Sequence, residues 1–184
     1  MLPPLSRVFE ICLYSLLNFF PFLIFALYPF LDDLRFSRTK TGLLIVVLTF
    51  LQILFGLLAC FSTGNISAVL SLISTLSYAF FYFTVIRKSP GQLLFVLLMI
   101  SNIANLVVIT AKCLEGQFFP DFALLPYRYS MSLFMVIVEI FILIPVFIFL
   151  KKVITPAISC SQSFHEWRYL WLIPATFYLI WYYM

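Results

Sequence analysis

The chain has 184 residues and a formal net charge of +4; 64% of its residues are hydrophobic and only 10% are charged. Soluble globular domains are about 45–50% apolar and about 25% charged, so this composition excludes an ordinary water-soluble domain. Basic residues are too sparse for a nucleic-acid-binding surface, so no nucleic-acid partner is expected. The solvent that suits such a chain is a lipid bilayer, and membrane lipids are its expected surroundings.

Six apolar runs separated by short polar breaks predict an all-α fold, a single polytopic transmembrane helix bundle of about six spans that comprises residues 1–184. A helix needs about 20 apolar residues to cross about 30 Å of hydrocarbon. The first five runs meet this length, whereas the sixth has only 15 residues. The runs lack the apolar–polar alternation of membrane-barrel strands. In chain order, the predicted spans are Phe9–Phe30, Thr41–Phe61, Ile66–Ile86, Gln92–Ala111, Ser130–Leu150 and Leu170–Met184.

The basic residues predict the orientation of the bundle. Eight of them lie in the first, third and fifth loops, and three lie on the opposite side. The positive-inside rule therefore places those three loops in the cytoplasm and the N-terminus outside. The eight are Arg35, Arg38, Lys40, Arg87, Lys88, Lys151, Lys152 and Arg168; the three are Arg7, Lys112 and Arg128.

Glu139 is the clearest departure from the apolar background, because it is the tenth residue of the fifth predicted span and so lies near mid-membrane. An unpaired carboxylate in hydrocarbon costs several kcal/mol. The functional interpretation is a ligand contact, a proton-sensing group or a polar clamp between helices. The structural interpretation is a protonated side chain that makes one interhelical hydrogen bond, and the sequence leaves both interpretations open.

Asn102 and Asn105 are three residues apart on the fourth predicted helix, so they share a face at a depth similar to that of Glu139. Buried amides in lipid seek partners, and each such bond is worth about 0.6–2 kcal/mol. We expect either helix packing or a polar ligand-binding cluster that combines Asn102, Asn105 and Glu139. Asn18 and Gln52 are weaker candidates of the same kind.

Two further segments carry predictions about surfaces. The third helix has serines on roughly one side, which predicts a packing seam where helices approach closely. The fourth loop, from Cys113 to Arg128, is the largest predicted outer element, and its phenylalanines either dip into the membrane or offer an apolar landing site for a hydrophobic ligand. The serines are Ser67, Ser71, Ser74 and Ser77.

Catalytic chemistry has no visible basis in the sequence. There is no nucleophile beside a base, no glycine-rich phosphate loop and no metal-ligand spacing. The four cysteines are widely scattered and form no CxxC pair. No catalytic residue, no metal site and no cofactor are therefore expected, and the chain itself is not expected to be an enzyme.

The stretch from Glu139 onward combines a proline-bearing helix that ends in Lys151 and Lys152 with the pattern W-R-x-L-W-x-I-P-x-x-F-Y at residues 167–178. This stretch, about a quarter of the chain, resembles the N-terminal membrane region of bacterial sensor histidine kinases of the Agr quorum-sensing (GHKL) type. The resemblance implies a multi-pass sensor in the bacterial plasma membrane, followed in the parent protein by a cytoplasmic kinase. Six spans leave the C-terminus outside, so a seventh span would have to follow Met184, and the chain is interpreted as a truncated sensor module.

Two classes of function follow as alternatives. The first is the sensor or receptor module of a two-component signalling kinase, which detects a peptide or another small amphipathic signal. The sequence leaves open whether this module forms a homodimer. The second is a transporter or permease subunit in which midplane Asn and Glu side chains line a substrate path. A scaffold protein that binds no ligand is a third interpretation.

Overall fold

The computed structural model of the chain describes residues 5–62, 64–125, 127–160 and 164–183. These residues are almost entirely helical, and the described part of the chain has no strand beyond one isolated bridge. The helices are α1 Leu5–Leu27, α2 Arg38–Phe61, α3 Asn65–Val85, α4 Pro90–Phe118, α5 Pro120–Ala123, α6 Tyr129–Phe149, α7 Thr155–Cys160, α8 Phe164–Leu170 and α9 Leu172–Tyr183. A 3₁₀ turn, Tyr28–Phe30, extends α1, and a π-helical segment, Leu150–Ile154, joins α6 to α7.

Five helical segments are long and apolar enough to cross a membrane, which confirms the all-α helix bundle and is consistent with a multi-pass membrane protein. The segments are Leu5–Phe30, Arg38–Phe61, Asn65–Val85, Pro90–Phe118 and Tyr129–Cys160. They begin close to the first five predicted spans because the same apolar runs define both. Local signals set their starts: the Ser37 side chain accepts a hydrogen bond from the Lys40 N–H ahead of α2 (3.4 Å), and Pro90 opens α4.

The sixth predicted span is the one that differs in form. The predicted span Leu170–Met184 corresponds to α9, and a break at Trp171 separates α9 from the short helix α8 ahead of it. Pro174 has no N–H to donate to the Leu170 carbonyl one turn earlier, which accounts for the break. The 12 residues of α9 extend about 18 Å, which is less than the hydrocarbon thickness. Residue 184, the predicted end of this span, lies outside the described residues.

Helices α8 and α9 lie along α4 and run in the same direction. The Trp167 ring meets the Phe95 ring edge-on, with centroids 5.5 Å apart, near the start of α4. Further along, the Asn102 side-chain amide donates to the Pro174 carbonyl (2.8 Å). Gly91 permits this close approach, because a Cβ added there would lie 2.3 Å from the Trp167 carbonyl oxygen.

Two predicted loops are largely helical. The outer loop predicted for residues 113–128 contains the last part of α4 and all of α5, and the Phe118 ring stacks on Phe134 with centroids 5.7 Å apart. Beyond Leu150 the helix does not stop at the two lysines but continues to Cys160. The Thr155 hydroxyl donates to the Leu150 carbonyl (2.9 Å), which supports the π-helical segment in place of a loop.

The first and third loops lie together at one end of the bundle, which we call the basic end. Leu34 and Ile86 form an isolated antiparallel bridge. The Arg87 N–H donates to the Asp33 carbonyl (2.9 Å), and the Lys88 ammonium lies 3.3 Å from the Asp33 carboxylate. The π-helical segment contacts the 3₁₀ turn at the same end. The structure thus brings together the three regions that the charge pattern assigned to one side of the membrane.

Candidate functional site

A cleft of about 360 Å³ with a largely polar lining lies inside the bundle, and we call it the central cleft. It lies between α3 and α4, which barely touch each other, and α1 and α2 form its back. No side chain that lines it is charged. Its polar lining consists of Tyr14, Ser15, Asn18, Gln52, Ser71, Ser74, Thr75, Tyr78, Ser101, Asn105, Tyr127 and Tyr178.

Gln52 joins α2, at the back of the central cleft, to α3, which forms one of its walls. Its side-chain amide donates to the Ser74 carbonyl (2.9 Å) and to the Ser77 hydroxyl (3.2 Å), and the Ser74 hydroxyl donates back to the Gln52 carbonyl oxygen. The predicted serine seam on α3 therefore serves partly as a set of hydrogen-bond partners for α2. Gln52, predicted only as a weaker candidate, lines the cleft together with Ser71 and Ser74 of this seam.

Asn18 and Asn105 present amides to the same cleft from α1 and α4. No hydrogen bond to either side chain is found within the described part of the chain. An amide without a partner in hydrocarbon costs several kcal/mol, so these two groups require water or a polar ligand. The central cleft is therefore suited to a molecule that both donates and accepts hydrogen bonds.

Tyr127 covers the end of the cleft that faces away from the basic end. Its backbone has φ +57°, a left-handed conformation that bulky residues rarely adopt and that is typical of functional positions. Its ring lies against the Tyr14 ring, with centroids 4.6 Å apart, and its carbonyl accepts a hydrogen bond from the Arg7 guanidinium (3.5 Å). The two tyrosines form an aromatic cap over the cleft.

An ion-pair network holds this cap in place. The buried Glu10 carboxylate lies 3.0 Å from the Arg7 guanidinium and 3.6 Å from that of Arg128, the residue that follows Tyr127. Partly buried pairs of this kind are screened less by solvent than exposed ones. The network therefore fixes the loop that carries Tyr127 to the start of α1.

A second buried carboxylate lies at the same end. Glu115 is fully buried, its carboxylate is 2.7 Å from the Lys112 ammonium, and it accepts a hydrogen bond from the Ser130 hydroxyl. The three basic residues predicted for the outer side, Arg7, Lys112 and Arg128, are thus each paired with a carboxylate. Sequence reasoning missed both acids because each lies near the end of a span, where the distinction between a solvated and a buried carboxylate depends on tertiary contacts.

The structure places the three residues predicted as one polar cluster at three separate positions. Asn105 lines the central cleft, Asn102 lines an apolar groove between α4 and α9, and Glu139 lines another between α1 and α6. Three residues on a helix turn through about 300°, so Asn102 and Asn105 point about 60° apart and reach different neighbours. Ligand binding by each of them stays a prediction.

Asn102 and Glu139 differ in how well they are satisfied. The Asn102 amide nitrogen is bonded to the Pro174 carbonyl, while its Oδ1 is buried without a partner among the described residues. Glu139 is 6% exposed, and its Oε1 is likewise buried without a hydrogen-bond partner in that part of the chain. Asn102 therefore serves at least as a packing contact, whereas the described residues give Glu139 no hydrogen-bond or ion-pair partner.

The described residues contain no group of three or more His, Cys, Asp or Glu side chains placed to hold a metal ion. The fold and the cleft define a polytopic α-helical bundle with an uncharged polar site between its helices. No protein-family model, curated protein or solved structure matches the chain.

Proposed function

We propose that this chain is the membrane sensor module of a signalling protein and that it receives a small, uncharged amphipathic ligand, such as a short peptide, in the central cleft. The observation that supports this proposal is the pair of neutral amides, Asn18 and Asn105, that line an uncharged polar cleft without a partner among the described residues. Polar groups inside a membrane bundle are costly and mark functional sites by default.

The chemistry of the lining indicates the kind of ligand. No lining side chain is charged, so an ionic ligand group would enter the cleft without a counter-charge. Amides and hydroxyls offer both donors and acceptors, and four tyrosines offer aromatic surface. A volume of about 360 Å³ is near the lower end of the range for small-molecule sites. A neutral molecule with an amide backbone and one aromatic or aliphatic group matches these properties.

The fold offers a physical route from the cleft to the basic end. The two walls of the cleft, α3 and α4, are joined by the loop after Val85, which is bonded to the first loop through the Leu34–Ile86 bridge. A ligand that wedges α3 away from α4 would also move the start of α4, where Gly91 packs on the Trp167 backbone. Such a ligand shifts the bundle only if it binds the separated arrangement better.

The assignment to a bacterial two-component, quorum-sensing kinase rests on the resemblance of the stretch from Glu139 onward and is proposed on that basis alone. It predicts that the parent gene encodes an ATP-binding kinase domain downstream of residue 184 and that the protein lies in the plasma membrane. A parent gene without such a domain would contradict the kinase assignment but not the ligand site.

The ligand site is tested by thermal unfolding of the purified protein in dodecyl maltoside with acetylated dipeptide amides. Peptides with one aromatic side chain should stabilise the wild type, by about 2.7 kcal/mol at a hundred times the dissociation constant, and analogues with a lysine or glutamate should not. Ser71→Phe fills the cleft and should abolish the effect, whereas Leu72→Phe, at a neighbouring lipid-facing position that is 59% exposed, should retain it. Equal stabilisation of both variants, or by charged peptides, contradicts the proposal.

The transporter interpretation is separated from the sensor by a flux measurement. The same labelled peptide amide is added to liposomes that contain the reconstituted protein. A sensor binds it without accumulation inside, while a permease carries it across. Uptake that Ser71→Phe blocks and Leu72→Phe leaves intact would favour the transporter. Sizing of the detergent-solubilised protein on the same samples determines whether it is a homodimer.

A further inference from the structure

The groove between α1 and α6 combines an apolar lining with one unsatisfied acid. It has a volume of about 530 Å³, and Glu139 is its only charged or polar side chain. The other lining residues are Leu17, Pro21, Phe25, Val136, Ile140, Leu143, Ile144, Phe147 and Ile148. Ile140 and Ile144 are 56% and 60% exposed, so the groove opens toward the lipid.

Glu139 lacks the partners that an intramembrane carboxyl group needs. Its side chain is more than nine-tenths buried, and its Oε1 has no hydrogen-bond partner among the described residues. No basic side chain lines the groove. In hydrocarbon the group requires either a proton or a cation to neutralise it. A cation from outside the chain that carries N–H groups would supply both the missing counter-charge and the missing hydrogen-bond partner.

One backbone carbonyl in α1 beside the groove lacks its usual helical donor. Pro21 lies inside α1 and has no N–H to donate to the carbonyl of Leu17, one turn earlier. Both residues line the groove. The site therefore has one side-chain acceptor, the Glu139 carboxyl group, in an apolar wall. An occupant that complements it supplies several N–H donors, a positive charge and an apolar body.

We propose that this groove binds a membrane-dissolved amphiphile with an alkyl or aryl body and an ammonium head, and that the ammonium pairs with Glu139. An ammonium group carries a positive charge and three N–H donors, so it can neutralise the carboxylate and donate hydrogen bonds to its oxygens. The alkyl body lies along the isoleucines on the lipid side. This site is separate from the central cleft and does not depend on the function proposed for it.

The test uses dicyclohexylcarbodiimide, a lipid-soluble reagent for carboxyl groups in apolar surroundings, on the full chain in dodecyl maltoside. Labelling of Glu139 is followed by mass spectrometry as the loss of the unmodified peptide, so that an amide formed when the amine displaces the urea from the activated carboxyl also counts as labelling, and Glu139→Gln is the unlabelled control. Dodecylamine at about ten times its dissociation constant should slow labelling about tenfold, because about nine-tenths of the sites are then occupied. Dodecanol, which has the same alkyl body without the charge, should leave the rate unchanged.

Two tryptophan variants check that the groove itself carries the effect. Ile144→Trp narrows the groove and should abolish protection by dodecylamine. Phe141→Trp, at a position that is 75% exposed and outside the groove, should preserve it. Circular dichroism on both variants confirms that they are folded.

Several outcomes would overturn the proposal. Equal protection by dodecanol or by phosphatidylcholine would mean that the groove accepts any acyl chain. Protection that rises with protein concentration alone would mean that a second copy of the chain occupies it. A Glu139 that no carbodiimide labels is inaccessible to an amphiphile from the lipid.

Discussion

Replacement of Gln52 by leucine removes the main polar connection between α2 and α3. Gln52 takes part in three hydrogen bonds to α3, one to a carbonyl and two that involve serine hydroxyls. Interhelical hydrogen bonds in membrane proteins are worth about 0.6 kcal/mol on average and about 1.7 kcal/mol at most. The Ser77 hydroxyl also donates to its own helix, so the substitution does not leave it unpaired. We therefore expect a loss of about 2 kcal/mol, or about 30-fold in the folding equilibrium.

A matched control lies one turn earlier on the same helix. Thr49 and Gln52 are both 9% exposed, but the Thr49 hydroxyl donates only to the Ile45 carbonyl of its own helix (2.8 Å). Thr49→Val should therefore change the free energy of unfolding by less than about 0.5 kcal/mol. Both variants are compared by titration of the dodecyl maltoside-solubilised protein with sodium dodecyl sulfate, followed by circular dichroism. Equal effects of the two substitutions would refute the conclusion that Gln52 holds the two helices together.

Two other matched pairs probe the ends of the bundle by the same titration. Glu10→Gln should destabilise the fold by about 1.5–3 kcal/mol, because the lost carboxylate charge pairs with two guanidinium groups. Its control is Arg38→Gln, which removes an ion pair whose two side chains are 79% and 96% exposed. This control should change the free energy of unfolding by no more than about 0.5 kcal/mol. Gly91→Ala should lower the free energy of unfolding by about 1–3 kcal/mol, because the new Cβ would meet the Trp167 carbonyl. Gly42→Ala is its control: a Cβ at Gly42 would have no atom within 4 Å, so this substitution should be neutral or slightly stabilising. The network assignment fails if Glu10→Gln behaves like Arg38→Gln, and the packing assignment fails if Gly91→Ala is as stable as Gly42→Ala.

The helices were predictable from the sequence because each apolar run is long enough to define a span by itself. The bounds of α2 and α3 differ from the predicted runs by only a few residues. The end of α4 was predicted less well, and the continuation of the helix beyond α6 was not predicted. There, polar residues such as Lys112 and Lys151 continue the helix, because buried partners or the π-helical segment accommodate them.

The composition of the candidate site could be predicted only in part. Asn105 and Gln52 were singled out correctly as polar residues inside a span, and both line the central cleft. Their grouping with Asn102 and Glu139 depended on depth alone, and depth does not specify which neighbouring helix a side chain faces. Tyr127 could not have been found, because its role depends on a left-handed backbone conformation and on a contact with α1.

The surroundings of the Glu139 carboxyl group were likewise beyond what the sequence could predict. The sequence placed Glu139 near the middle of a long helix, and it lies near the middle of α6, Tyr129–Phe149; its depth in the membrane stays a prediction. Whether it pairs with another helix depends on the bundle, and the structure places only apolar side chains beside it in the groove. The functional interpretation of Glu139 is therefore supported by the apolar surroundings that the fold gives its carboxyl group.

Accessibility of the central cleft to water-borne reagents is the most direct test of the proposed site. The four native cysteines are replaced by serine, and single cysteines are introduced at Asn105, in the cleft, and at Leu106, which faces lipid and is 44% exposed. Hydroxyethyl methanethiosulfonate is small, polar and uncharged and reacts with hydrated thiolates, so Asn105→Cys should react at least about tenfold faster than Leu106→Cys in liposomes. A cysteine at position 105 that reacts as slowly as the one at position 106 would mean that no water-borne ligand reaches the cleft.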